Sequence, residues 1–383
     1  MNILVICNYG LYEDLGSSFV HSQIREYAAL GHHVRVIIPN GVAKKGRNGG
    51  HFERPLLISQ ADGVELYDLR YVTLSVYGKR HFNTASACAA IRLQWDRIFG
   101  DFQPDVIHAH TFGLESEIGV WLKAKLGCPV VVTTHGSDTT ILVNKGRLKE
   151  LYHYCEGIDV AIAVSNTLEN RLRKCGTPTE IRTIHNGFHD EGIDPYTEKV
   201  SCSCLQVSHL IELKQVPVTI RAFQKIYKQY PQARLTIIGQ GTERAALEKL
   251  CSELQISEAV TFTGQLPHRE VLEHMSKTQF YIMPSVREGF PVSYLEAMGM
   301  GCVIVGTATE GISEIVDHEV NGFLVQPGDF DSIAEHVISC IADPVRSNKI
   351  AAAGNQTAQQ LSWRSNAQQY IALFQELTAG KTT

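Results

Sequence analysis

The chain has 383 residues, 44% hydrophobic and 20% charged, with a formal net charge of −5. That length exceeds one ordinary core and suits two, and the composition excludes a disordered or fibrous chain. The negative balance gives no global attraction for nucleic acid, and no run approaches the ~20 apolar residues of a membrane span.

The chain opens on "MNILVIC", whose short apolar run lacks a basic flank and reads as a strand, not a signal peptide. In "SSFVHSQIREYAALG", Phe19, Val20, Gln23, Ile24, Tyr27 and Ala28 fall at helical spacing and Gly31 suits the cap. "HVRVII", "DVIHAH", "VVVTTHG" and "DVAIAVS" follow as strands, with helices between them. Turn signals cluster in "HNGFHDEGIDPY", after which the alternation restarts with "CLQVS", a helix over Pro217 to Tyr230, "LTIIG", "VTFTG", "FYIMP", "CVIVG" and "GFLV". The tail "LSWRSNAQQYIALFQELTAG" is amphipathic. This alternation predicts an α/β chain of two doubly wound Rossmann-like domains facing a cleft. The expected domains are residues 1–190 and 198–360, joined near 188–198, with a C-terminal helix in 361–383 that crosses back to the first domain. Ten scattered cysteines without a C-x-x-C pair predict reduced, buried thiols and a cytoplasmic protein.

Open parallel sheets bind ligands beyond the carboxyl ends of their strands, and the chemically suggestive residues fall there. In "PSVREGFPVSYLEAMGMG", Pro291 suits the first turn of a helix. The backbone from Gly289 through Phe290 to Val292 then offers unsatisfied N–H groups as an anion seat, and Gly289 permits close approach. Glu288 and Glu296 flank that seat; each carboxylate suits a pair of hydroxyls, as sugar and ribose offer. A solvated loop charge and a surface helix residue would also account for the two.

In the first domain, "TTHGSDTT" places His135 and Asp138 after a strand, Asp138 either meeting a sugar hydroxyl or capping the next helix. "CNYGLYEDLGSS" lacks G-x-G-x-x-G spacing, yet Gly16 and Ser17 open a helix and form a second phosphate-facing candidate. His108 and His110 share one side of a strand. With His135 and Asp138 nearby they leave a metal-dependent hydrolase as a reading from another class, although no H-E-x-x-H is present. "DFD" at Asp329 to Asp331 reads as a loop plus N-cap.

"EGFPVSYLEAM" resembles the E-x7-E signature of retaining glycosyltransferases with the GT-B fold, in particular glycosyltransferase family 4. "VTFTGQLPHREVLEHM", "NGFLVQPGD" and "DVIHAHTFG" resemble the same family, so the likeness covers nearly the whole chain. It implies transfer of a sugar from a UDP- or GDP-sugar to an acceptor hydroxyl with retention, in glycan or polysaccharide biosynthesis, without bound metal or other cofactor. It gives His135 a contact with the transferred sugar near the reacting carbon, and it sets backbone around Gly264 to Leu266 against the base; His110, beside His135, is a further candidate for a sugar or acceptor contact. A nucleotide-sugar epimerase or a non-catalytic binder would share this architecture.

A metal-free mechanism needs cations. The departing diphosphate carries about two negative charges, against roughly half a positive charge from a helix end. The family supplies the rest from "G-R-L…K-G", and this chain reads "VSHLIELKQV". Lys214 matches, Gln215 replaces the glycine, and His209 stands where arginine is usual. An arginine is always charged, whereas a histidine is a cation only while it holds its second proton, which an adjacent diphosphate favours. Basic loops carrying Lys44, Lys45, Arg47, Lys79 and Arg80 suit an anionic lipid or a lipid-linked acceptor at the inner face of a membrane, and equally suit plain solvation.

Overall fold

The computed structural model describes residues 1–7, 19–43, 55–74, 80–144, 146–189, 191–195, 197–286, 290, 292–308 and 311–380. These divide into two compact units, one formed by the described residues of 1–185 together with 366–380, the other by those of 186–365.

The first unit is built on eight strands: β1 (Asn2–Ile6), β2 (His33–Ala43), β3 (Leu56–Ala61), β4 (Val64–Thr73), β5 (Val106–His110), β6 (Val130–Thr134), β7 (Val160–Ala163) and β8 (Glu180–Thr183). Their order is β3-β4-β2-β1-β5-β6-β7-β8, parallel except for the β3–β4 pair. β1, β5, β6 and β7 are buried on both faces, as a parallel sheet covered on both sides requires. Ile3, Val5, Val36, Val131 and Ile162 pack in one core with Tyr27 and with Ala367, Tyr370 and Phe374 of the C-terminal helix Trp363–Ala379.

The β3–β4 hairpin departs from the strict strand–helix alternation read from the sequence. Asp62 and Gly63 hold φ 51° and 76°, the pair of left-handed residues that a two-residue hairpin turn needs. The register Ala61↔Val64 closes directly over them.

The second unit has six strands: β9 (Val200–Val207), β10 (Arg234–Ile238), β11 (Val260–Gly264), β12 (Thr278–Met283), β13 (Val303–Thr307) and β14 (Phe323–Val325). All pair in parallel, in the order β11-β10-β9-β12-β13-β14. The core beneath one face joins Phe223, Ile226, Ile237, Phe280, Val305 and Val337. The helix expected over Pro217 to Tyr230 spans Val216–Gln229, with Pro217 in its first turn, where no backbone donor is required. Asp329 caps the helix Phe330–Ala342 by accepting from Ser332 N at 3.0 Å, and Asp331 pairs with Lys225. Nine of the ten cysteines are buried, and burial pushes the Cys88 and Cys155 thiols up to about 12. No helix among the described residues is long and apolar enough to cross a membrane.

Candidate functional site

In the second unit the strand numbers fall from β11 to β9 and rise from β12 to β14, so the winding reverses between β9 and β12. The crevice at the carboxyl ends of two such strands is where open α/β sheets take ligands. The loop after β9 carries His209 and Lys214; the loop after β12 begins the E-x7-E segment.

These loops are tied to one another and to a third. Val286 N donates to Leu213 O at 3.0 Å, joining the start of the β12 loop to the turn that carries Lys214. Leu210 N donates to Gln240 O at 3.0 Å, and Glu243 N to Leu210 O at 3.1 Å. Backbone contact this close demands glycine. A Cβ on Gly239, at φ 135°, would lie 1.9 Å from Ser208 O, and one on Gly241 would lie 2.3 Å from Leu210 O. Beneath them the fully buried Gln206 donates from Nε2 to Lys214 O at 3.2 Å and to Ser208 Oγ at 3.3 Å.

His209 is exposed at the end of β9, so it does not serve as packing there. Gln215 explains the glycine usual at its position: its backbone is left-handed, φ 50° and ψ 39°, a conformation glycine adopts at no steric cost. Gln215 keeps the turn by donating from Nε2 to Glu212 O at 2.8 Å. Gly264, at φ 79°, ends β11, and its carbonyl accepts from Gly239 N at 2.8 Å; Leu266 follows in the same loop. Phe290 is buried, and Glu296 lies on the second turn of the helix Val292–Gly299. Glu288, Gly289 and Pro291 lie outside the described residues, as do Gly16, Ser17, Lys44, Lys45, Arg47 and Lys79.

Two residues that sequence reasoning did not single out hold Glu296. His268 Nε2 meets Glu296 Oε1 at 2.7 Å, and His268 Nδ1 meets Glu191 Oε1 at 2.8 Å. Burial alone would pull the imidazole down, but the bond to and charge of Glu296, then those of Glu191, outweigh it and push its pKa up to about 9.

In the first unit, His108, His110 and His135 gather at the carboxyl ends of β5 and β6. His108 Nε2 meets Thr133 Oγ1 at 2.8 Å, and its Nδ1 meets the Tyr27 hydroxyl at 3.3 Å. The Thr133 hydroxyl continues to Tyr370 at 2.8 Å. His110 Nδ1 meets His135 Nε2 at 3.2 Å, and Phe19 lies against the His135 ring, centroids 4.4 Å apart. Burial holds all three imidazoles far below the usual histidine range, His108 and His135 at about 3, so all are neutral at pH 7. His110 is itself fully buried, and its Nε2 has no hydrogen-bond partner among the described residues.

Asp138 is not an N-cap. It lies inside the helix Ser137–Asn144, and its carboxylate accepts from Phe112 N at 2.9 Å, Thr134 Oγ1 at 2.8 Å and Gly136 N at 3.1 Å. That clamps the β5 and β6 loops together. Thr111 follows His110 at φ 76°, a strained conformation for a β-branched residue, and its hydroxyl donates to Glu115 at 3.0 Å. Burial pushes the Glu115 carboxyl up to about 7. Among the described residues no group of three or more His, Cys, Asp or Glu is arranged to hold a metal ion.

The chain is similar to known proteins over both units. The family model described as Glycosyltransferase Family 4 matches residues 16–191, and that described as Glycosyl transferases group 1 matches residues 202–357. N-acetyl-alpha-D-glucosaminyl L-malate synthase of Bacillus anthracis is 29% identical over 62% of this chain; the chain spans 66% of that relative's length. Among solved structures, sucrose-phosphate synthase from Thermosynechococcus elongatus has a TM-score of 0.78 at 21% identity, over 99% of this chain and 100% of that one. Anabaena HepE in complex with UDP-glucose has a TM-score of 0.72 at 18% identity, over 98% and 100%. The two parallel-sheet units therefore form the GT-B fold. The chain belongs to the glycosyltransferases of family 4 type, and its function is that of a group 1 glycosyltransferase.

Proposed function

We propose that the protein moves a sugar from a nucleotide-diphosphate sugar to an acceptor hydroxyl of a growing glycan, with retention at the anomeric carbon and without a metal ion. The observation that carries this reading is the crevice between β9 and β12. There the turn bearing Lys214, with His209 beside it, is hydrogen-bonded through Leu213 to Val286, in the loop that leads to the E-x7-E segment.

In this reading the diphosphate sits against the amides from Gly289 to Val292, with Lys214 adding the positive charge that a helix end lacks and His209 a further donor. Glu296 takes the ribose diol, Glu288 the hydroxyls of the transferred sugar, and backbone from Gly264 to Leu266 the base. His135 of the first unit contacts the sugar as a neutral imidazole. The acceptor oxygen attacks from the face the diphosphate is leaving: the bond from anomeric carbon to phosphate oxygen breaks, the new glycosidic bond forms, and the acceptor's proton passes to the departing phosphate. No enzyme nucleophile is required, and Glu288 stays unmodified.

The test incubates the purified protein with UDP- and GDP-sugars and glycan acceptors, with and without chelator. Nucleoside diphosphate released together with a glycosylated acceptor of unchanged anomeric configuration, undiminished by chelator, is the expected result. Release that stops in chelator, an isomerised sugar nucleotide, or a glycosyl adduct trapped on Glu288 overturns it. The same reading gives the basic loops a lipid-linked acceptor at the inner face of a membrane. Binding to vesicles containing anionic lipid, lost when Lys44, Lys45 and Arg47 become Gln, tests that part.

A further inference from the structure

Glu191, His268 and Glu296 come from three separate places: the loop after the first unit, the first residue of the helix His268–Lys277, and the second turn of the helix Val292–Gly299. We propose that Glu191 and His268 are positioning residues that set the rotamer and charge of Glu296, and so govern how strongly the protein recognises the ribose hydroxyls of its nucleotide. This rests on the ribose reading of Glu296 given above.

The geometry supports a fixed direction. At neutral pH His268 carries both ring protons, so Nδ1–H donates to Glu191 and Nε2–H to Glu296. An imidazolium at the start of a helix opposes the helix dipole, and the two carboxylates overcome that cost. Glu191 also holds an unfavourable backbone, φ 51°, that a glutamate rarely adopts. Two contacts maintain it: Glu191 N donates to His189 Nδ1 at 2.8 Å, and Arg269 Nη1 donates to Glu191 O at 3.3 Å. Local strain kept in place by surrounding bonds marks a conformation that the fold over-determines.

The chemical effect is threefold. A glutamate free to rotate loses side-chain entropy when a ligand orders it, and His268 takes that loss at folding instead. Oε1 is engaged while Oε2 carries no hydrogen bond among the described residues, so the carboxylate presents one oxygen for a hydroxyl in a defined place. The imidazolium also offsets a negative charge on the helix that is to receive a diphosphate, so Glu296 costs less repulsion than a bare carboxylate would.

The test is a binding series on intact protein, with UDP and GDP, their 2′-deoxy and 3′-deoxy forms, and inorganic pyrophosphate as probes. Wild type is expected to bind the ribose form of its preferred nucleotide about tenfold more tightly than the deoxy forms. His268→Ala and Glu191→Gln should lose most of that ratio while pyrophosphate affinity stays within about twofold; His268→Gln, whose amide still donates to Glu296, should recover part of it. Thermal melts confirm folding, and if His268→Ala fails to fold, Glu191→Gln and His268→Gln decide. A full ratio in the His268 and Glu191 variants, with the ratio lost in Glu296→Gln, overturns the positioning role and leaves the ribose reading standing. A full ratio in Glu296→Gln, or no ratio in wild type, overturns the ribose reading itself.

Discussion

The rings of His110 and His135 lie 5° from parallel, with Nδ1 of one 3.2 Å from Nε2 of the other. Both are neutral, so a single proton lies between them and the pair has a direction: the tautomer of His135 is set by that of His110.

Burying these histidines uncharged makes the fold acid-sensitive. A histidine whose folded pKa is depressed contributes stability that is present above its unfolded value near 6.5 and is lost as pH falls towards the folded value, about 3 for His108 and His135. The unfolding free energy should fall by about 1.4 kcal/mol per pH unit for each such group below pH 6. Urea titrations between pH 7.5 and 5 measure the slope, and His108→Gln should flatten it by about one proton; equal slopes would sink the account.

If His135 contacts the transferred sugar, its loss should strike the chemical step and leave nucleotide binding alone. His135→Ala is expected to lower kcat about 100-fold with nucleotide affinity within about twofold. His110→Ala should cost less, roughly tenfold, because only the orientation of His135 is released. Steady-state kinetics beside calorimetric binding separates the two; a loss confined to affinity would contradict the assignment.

His209 stands where an arginine would grip two phosphate oxygens at once. His209→Arg is expected to tighten UDP or GDP binding several-fold, because a guanidinium offers a planar pair of donors. Unchanged nucleotide affinity in the variant would show that His209 does not meet the diphosphate.

Gly239 and Gly241 hold the loops of the crevice together by backbone contact. Gly239→Ala should destabilise by roughly 2–4 kcal/mol, since both its φ of 135° and the 1.9 Å approach to Ser208 O forbid a side chain. Gly328→Ala serves as the control. Its φ of 80° is also positive, but nothing lies within 4 Å of a Cβ there, so only about 1 kcal/mol of backbone strain is expected. Thermal melts of the two variants compare them directly; equal losses would place the whole cost in the backbone and none in the close approach.

Much of the architecture was legible because central parallel strands are continuous apolar runs. "ILVI", "VVVTT" and "YIM" announce themselves, and residues directly after such runs fall at the ligand-binding edge. The hairpin of β3 and β4 is marked in the sequence only by Asp62-Gly63, and it interrupts the strand–helix alternation that organises the rest of the unit. Asp138 could not be placed from its neighbours, because Phe112, 26 positions away, takes one of its oxygens. The same holds for His268, whose partners lie 77 and 28 positions off and are brought in by the packing of separate helices and loops. Gly239 and Gly241 had a readable signal, the G-x-G after β10, whose meaning rests on the neighbouring loop.

The helix Trp363–Ala379 has a bearing on biosynthesis. Tyr370 and Phe374 lie in the middle of the amino-terminal core, against Tyr27 and His108. As the polypeptide leaves the ribosome, the later unit holds all its residues once Ser365 has emerged, whereas the earlier one waits, with a hydrophobic gap, for residues 366–380 to be made. The unit translated first is thus completed after the unit that follows it, and a nascent chain stalled before Asn366 would leave that gap open to water.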